Sequence, residues 1–195
     1  MDIEPVTLHG EFVRLEPMNR EHTAELCEAG LDPVLWRWTM NEIATADDMA
    51  QYVEQALAEQ GRGISLPFVT RDVASDKIVG STRFGNVTPE HRRVEIGWTW
   101  VSPAFQRTYV NTEAKLLMLT HAFEVWECVR VELKTDVLNE KSHNAMLRIG
   151  AKREGVLRRH VITDKGRFRD NVFFSIINEE WTETKKALVA KLRRV

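Results

Sequence analysis

Two cysteines, Cys27 and Cys128, are all this 195-residue chain holds. They stand far apart with no ligand spacing, so neither a disulfide framework nor a zinc site is expected, and a reducing compartment fits. No apolar run approaches the roughly 20 residues of a membrane span. The opening stretch MDIEPVTLHGEFVRL lacks the basic flank and apolar core of a signal peptide. A cytoplasmic protein without a membrane partner is the expectation. Net charge is nearly absent too: 27 Lys and Arg against 29 Asp and Glu leave −2, which gives no reason to expect a nucleic-acid partner. Low-complexity segments, internal repeats and Pro/Gly/Ser-rich linkers are all missing. One domain over 1–195 is therefore predicted, with a core over about 7–180 and a terminal helix over 181–195. The 43% hydrophobic content suffices for one substantial core.

What is present is patterned. VTLH and FVRLEPM flank Gly10 and read as an opening hairpin. REHTAELCEAG ends on Gly30 as a helix stop, and TADDMAQYVEQALAEQG begins with a capping box of Thr45 and Asp48, with Met49, Tyr52, Val53, Ala56 and Leu57 as its buried stripe. LPFVTRD, KIVGSTRFG and RRVEIGWTWV are strands joined too closely for crossover helices, hence an antiparallel meander. A helix follows from Val110 to about Trp126, with Leu116, Leu119, Phe123 and Trp126 on one stripe, and then the strand VRVELKT. Asn139 caps a short helix over Glu140 to Ile149 that Gly150 closes. AKREGVLRRHVI and RFRDNVFFSII are the last strands, joined by TDKG, and the tail is helical, acidic at its start and basic at its end. The fold class is α+β, a mixed and mostly antiparallel sheet of about seven strands flanked by helices. Between Lys152 and Asp170, seven Lys and Arg face three Asp and Glu; binding of nucleic acid there is disfavoured because the excess is local in an otherwise balanced chain. The last hairpin and the tail offer a surface for a homodimer.

One absence is local. The stretch AFQRTYVNTEA, Ala104 to Ala114, is a turn running into a helix, yet it holds no glycine. Together with VEIGWTWVSPAFQRTYVNTEAKLL, VRVELKTDVLNEKSHNAMLRIGAKREGVLR, GRFRDNVFFSI and, more weakly, LWRWT, it resembles the GNAT superfamily of acyl-CoA-dependent N-acetyltransferases, in the RimJ/RimL-like branch. The likeness covers nearly the whole chain up to about Glu180. It implies acetyl-CoA as donor, no metal, and a primary amine as acceptor, either a protein N-terminus or a small amine. The family's Gln/Arg-x-x-Gly-x-Gly/Ala loop binds the CoA pyrophosphate on backbone N–H groups and falls here on Gln106, Arg107, Thr108, Tyr109, Val110 and Asn111, with Thr112 following. Asn111 at the second glycine position is familiar in that branch; Tyr109 at the first is not, and its ring must point away for the amides to reach a phosphate. Tyr109 also motivates the alternative of an acyl-CoA-binding protein with lost or reduced turnover. By the same resemblance the pantetheine arm lies between VEIGWTWV and VRVELKT, with the backbone around Trp100 and Val101 among its contacts.

The chemistry needs a proton acceptor for the amine and a partner for the departing thiolate. Strict alternation places Val94, Ile96, Trp98 and Trp100 on one face of their strand and Glu95, Gly97 and Thr99 on the other. Glu95 is the candidate base, with a solvated partner of the neighbouring arginines as the plain alternative. Ser142 is the candidate donor to the thiolate, in the Asn-x-x-Ser spacing of the branch, and Asn139 would bind pantetheine or substrate; an ordinary helix cap explains the same pair. His143 and His160 are alternative bases, with His160 expected to pair with Asp170 across the last turn. Trp36 and Trp38 either wall the acceptor pocket or pack in a core.

Overall fold

A computed structural model of the chain describes Met1 and residues 3–193. Its centre is a single eight-stranded sheet in the order β1-β2-β3-β4-β5-β6-β8-β7. The strands are β1 (Leu8–His9), β2 (Val13–Pro17), β3 (Ser65–Asp72), β4 (Ile78–Thr88), β5 (Arg93–Val101), β6 (Arg130–Asp136), β7 (Lys152–Ile162) and β8 (Phe168–Ile177). The helices are α1 (Thr23–Gly30), α2 (Ala46–Gly61), α3 (Val110–Thr120), α4 (Glu140–Arg148) and α5 (Asn178–Leu192). The expected terminal helix therefore ends at Leu192, and positions 194 and 195 lie outside the described residues.

Both sheet faces are covered, so all eight residues of β3 are buried. Phe68, Phe84, Val94, Ile96, Val131 and Phe174 face α3 and α5 in one core. Val69, Ile78 and Trp100 join Leu26, Trp36, Met49 and Tyr52 under α1 and α2 in the other. Thr45 and Asp48 form the expected capping box on α2, and Asn139 caps α4 by accepting from the Ser142 amide at 3.1 Å.

β5 and β6 are the parallel pair of an otherwise antiparallel sheet, and they pair only over Arg93–Arg130, Val94–Val131 and Glu95–Glu132. Beyond Glu95 the two strands are not paired, although β5 runs on to Val101 and β6 to Asp136. A gap therefore opens toward the carboxyl ends of both strands. Each strand there leads to a helix N-terminus, α3 after β5 and α4 after β6, which is the end of a parallel pair where ligands bind in open α/β sheets.

Strict alternation along β5 does not hold. Arg83 faces Gly97 but Ser81 faces Trp100, so β5 carries one extra residue, and Trp98 takes a left-handed φ of 50°. This bulge reverses the faces beyond it. Trp98 and Trp100 lie on the α1/α2 side with Glu95, whereas Thr99 turns toward α3. Gly85 accommodates the displaced ring: a Cβ there would come within 2.3 Å of Trp98. The helix expected through Trp126 runs as α3 to Thr120 and continues as a π-turn over His121–Val125; of its expected stripe Leu119, Phe123 and Trp126 are buried and Leu116 is half-buried, with Val110, Ala114 and Met118 also in the core.

Candidate active site

The loop before α3 answers the question its sequence raises. Gln106 ties it to β5, its Nε2 donating to the Val101 carbonyl at 3.0 Å. Arg107 takes the left-handed conformation, φ 65°, where a glycine would be ordinary. Thr108 Oγ1 donates to the Phe105 carbonyl at 2.7 Å and accepts from the Val110 amide at 3.3 Å. The amides of Asn111 and Thr112 belong to the first turn, which has no intrahelical acceptors for them. Tyr109 turns its ring against Phe12, centroids 5.0 Å apart, and its hydroxyl donates to Asp72 Oδ1 at 2.6 Å. Burial would raise the Asp72 carboxyl, but hydrogen bonds from Ser75 and Tyr109 outweigh it and hold it below its usual range; the same bond to Asp72, with burial, raises the Tyr109 phenol.

A second anchor was not foreseen from the sequence. Glu113 is 4% exposed and accepts from the amides of Glu11, Phe12 and Val13 at 2.9, 2.7 and 2.6 Å. Gly10 makes room for it, because a Cβ there would lie 2.6 Å from the carboxylate. The start of α3 is thus held by two side chains reaching toward β2 and β3. Beside it lies a cleft of about 420 Å³ lined by Arg107, Thr108, Tyr109, Thr112, Arg148, Lys191 and Leu192. Among the described residues, Arg107, Arg148 and Lys191 bring three cations to the cleft and no carboxylate lines it; Lys191 reaches from the last turn of α5 to the Arg148 carbonyl. Helix amides and basic side chains suit a pyrophosphate.

On the α1/α2 side of the gap, Glu95 is 4% exposed. Asn86 Nδ2 and Lys134 Nζ both donate to its Oε2, at 2.6 and 2.8 Å, while Oε1 accepts no hydrogen bond from the described residues. Trp98 lies at the rim, 36% exposed, with the Arg83 guanidinium 5.4 Å and the Lys134 ammonium 5.9 Å from its ring centre. Trp36 and Trp38 separate in role. Trp36 is a core residue packed edge-on to Tyr52 and tilted against Trp100, its Nε1 donating to the Gly30 carbonyl at 2.7 Å. Trp38 is half-buried, with Arg37 and Arg167 over its ring. Trp100 is likewise buried, so only its backbone can meet a ligand in the gap.

The loop carrying Trp38 meets the turn between β7 and β8: the Asp164 amide donates to the Met40 carbonyl at 3.2 Å, and Lys165 pairs with Glu42 at 2.5 Å. Arg167 and Arg169 reach the fully buried Asp136, and burial lowers the Arg169 guanidinium despite that carboxylate. His160 pairs with Asn171 at 2.8 Å rather than with Asp170, which accepts instead from the Arg159 amide; a register shift between Leu157 and Val161 is the cause. Four of the seven basic residues of this hairpin, Lys152, Lys165, Arg167 and Arg169, are thereby ion-paired within the chain.

At the N-terminus of α4, Ser142 is half-buried and its hydroxyl makes no hydrogen bond to the described residues, while Asn139 uses its carbonyl oxygen as the cap. His143 faces the Asp136 carbonyl at 3.2 Å. Among the described residues no cluster of His, Cys, Asp and Glu is arranged to hold a metal, and no helix is long and apolar enough to cross a membrane.

Comparison with known proteins matches this geometry to one family. The model of the acetyltransferase (GNAT) domain matches residues 13–152. YdaF of Bacillus subtilis (strain 168), a ribosomal N-acetyltransferase by assignment, is 33% identical over 104 residues; that is 53% of this chain and 56% of YdaF, so the chain spans about half the length of that curated relative. A GCN5-related N-acetyltransferase from Brucella melitensis superposes with a TM-score of 0.90 at 30% identity, over 97% of this chain and 86% of that one. RimJ of Mycobacterium smegmatis, solved in complex with CoA-disulfide, gives 0.82 at 25% identity over 97% and 96%. With the splayed parallel pair and the helix-start cleft, the match over residues 13–152 establishes that the chain belongs to the GNAT acetyltransferase family.

Proposed function

We propose that the chain is a single-domain cytoplasmic N-acetyltransferase that moves the acetyl group of acetyl-CoA to a primary amine by direct attack in a ternary complex. The gap between β5 and β6, with the cationic cleft at one helix start and a free serine hydroxyl at the other, carries the reading. Acetyl-CoA supplies the acetyl group as a thioester. Arg107, Arg148, Lys191 and the amides of α3 hold its phosphates, and the unpaired backbone of β5 through Trp100 and Val101 receives the arm. Asn139, whose side-chain oxygen caps α4, has its NH₂ left to meet the arm or the acceptor.

Glu95 takes up, through water at Oε1, the proton that the amine sheds as its nitrogen bonds to the acetyl carbon. Lys134 and Asn86 hold the carboxylate from its other oxygen. Ser142 donates to the sulfur as the C–S bond breaks and its electron pair moves onto sulfur; a free thiol titrates near about 8.5, so a hydrogen-bond donor and then a water proton complete the product thiol. Trp98 and Trp38 flank the acceptor's approach from the opposite face. Given the names of YdaF and RimJ, protein N-termini, ribosomal ones first, are the acceptors to test, followed by small amines. Tyr109 was the reason to consider a binding protein without turnover, and its ring lies toward Phe12 and Asp72. Acetyl-CoA-dependent thiol release across a panel of N-terminal peptides and small amines tests the reading. Release with at least one of them supports it, and tight CoA binding without release from any of them returns the protein to the binding class.

A further inference from the structure

Lys115 on α3 is 5% exposed, and its ammonium meets two hydroxyls, Thr99 Oγ1 at 2.7 Å and Thr82 Oγ1 at 3.2 Å, with no carboxylate among its described partners. An ammonium held this way is costly, because neither hydroxyl returns the charge that water solvated. Nothing in the packing requires a cation at this place. Met118 of the same helix lies against Thr82, and a side chain like it would fill the space. The carboxylate two residues earlier, Glu113, is turned to the amides of residues 11–13, while Arg83 and Glu95 project from the opposite face of the sheet. Burial alone moves the ammonium down, to about 7.

The bulge at Trp98 gives the arrangement direction. It turns Thr99 to the α3 side, four residues past the last β5–β6 pair, where Thr99 is exposed. Thr99 Oγ1 accepts from Lys115, and either threonine hydroxyl can donate to the other across 2.8 Å; with Thr82 as that donor, the Thr99 proton is left for the Gly97 carbonyl at 3.3 Å, a long bond, or for a ligand in the gap.

We propose that Lys115 is a positioning residue acting through Thr99: its ammonium holds the Thr99 hydroxyl with the proton facing the gap, where that hydroxyl donates to the thioester carbonyl oxygen of the donor. This rests on the acetyl-CoA reading of the gap. The hydroxyl's dipole is reinforced by the full charge of the buried Lys115 behind it, so it stabilises negative charge growing on that oxygen more than it stabilises the resting carbonyl. The device works while Lys115 is protonated and fades as pH rises through the range where it loses its proton.

The experiment pairs Lys115→Met with Thr99→Val, an exposed position that leaves the core intact. Calorimetric titration with acetyl-CoA in two buffers of different ionisation enthalpy, near pH 7.5, reads proton uptake directly. Wild type takes up a fraction of a proton as the bound carbonyl favours charged Lys115, and both variants take up less. Acetyl-CoA affinity changes by less than about threefold, whereas kcat falls roughly tenfold in each, and the double variant is no slower than either single one. The wild-type kcat profile falls on the alkaline side of about 7, and Lys115→Met lacks that limb. Equal proton uptake in all three proteins, or an unchanged kcat profile in Lys115→Met, overturns the proposal. Failure of wild type to bind acetyl-CoA or release thiol instead overturns the reading of the gap.

Discussion

Two buried charges stand on opposite faces of the same pair of strands, and they are treated differently. Glu95, on the α1/α2 face, has a lysine and an amide on one carboxylate oxygen. Lys115, on the α3 face, has two hydroxyls and no counter-charge among its described partners. Breaking the first pair would leave the other partner uncompensated, whereas removing the second charge leaves only hydroxyls that can bond to each other. The comparison separates two ways of placing a charge near a reaction. One is held by partners and offers a free oxygen; the other is destabilised by burial and acts through the group it touches.

Removing the paired charge should have the largest effect. Glu95→Gln is expected to lower turnover by roughly a hundredfold or more while CoA affinity holds within about twofold. Retained turnover at all pH values would return Glu95 to a structural role. Lys115→Met should raise stability. The folded-state value of about 7 lies below the ordinary 10.5, so folding releases a proton between those limits. The penalty is therefore full below pH 7 and vanishes above 10.5. The variant should gain about 2–4 kcal/mol at pH 6 and little at pH 10, read by denaturant unfolding. An advantage that does not change with pH would show that Lys115 titrates normally and that the contrast with Glu95 is false.

The contrast between the two helix starts gives smaller effects. Ser142→Ala at α4 should slow acetyl transfer about tenfold, the worth of one good hydrogen bond, and full activity would leave its place on the helix as its only role. At the cleft beside α3, replacing Arg148 and Lys191 together with Ala should weaken CoA binding roughly three- to tenfold, with less effect at high salt. Salt-independent loss would point to a folding defect. Tyr109→Gly should change CoA affinity by no more than about twofold while lowering stability by about 1–2 kcal/mol, through the lost bond to Asp72 and a freer unfolded chain. Clearly tighter binding would mean the ring obstructs the loop after all.

Elements with local signals were readable in advance: the Thr45 capping box, the Asn139 cap, the meander and the helix that begins at Val110 after AFQRTY all stand where the sequence puts them. The bulge at Trp98 was not readable, since one extra residue in a strand leaves alternation looking intact in the letters while reversing every side chain beyond it. That reversal is why Thr99, grouped with Glu95 by period, stands behind Lys115 instead. Contacts across a hundred residues were equally silent. Glu113 reads as a helical surface charge, and only the fold brings it to the amides of residues 11–13. Arg148 and Lys191 share a cleft with the loop because α4 and α5 end beside α3, a juxtaposition no local pattern contains. The departure of Tyr109 from glycine was visible, and its consequence was not: where the ring goes is decided by Asp72, at the end of a strand 37 positions away.

The most direct test of the central claim is continuous detection of free CoA thiol with acetyl-CoA and a panel of peptides of varied N-terminal residue, run beside small amines. Thiol release that depends on a free acceptor amine, accompanied by a mass increase of one acetyl group on that acceptor, is the predicted result. Saturable CoA binding with no amine-dependent release from any acceptor in the panel would contradict it.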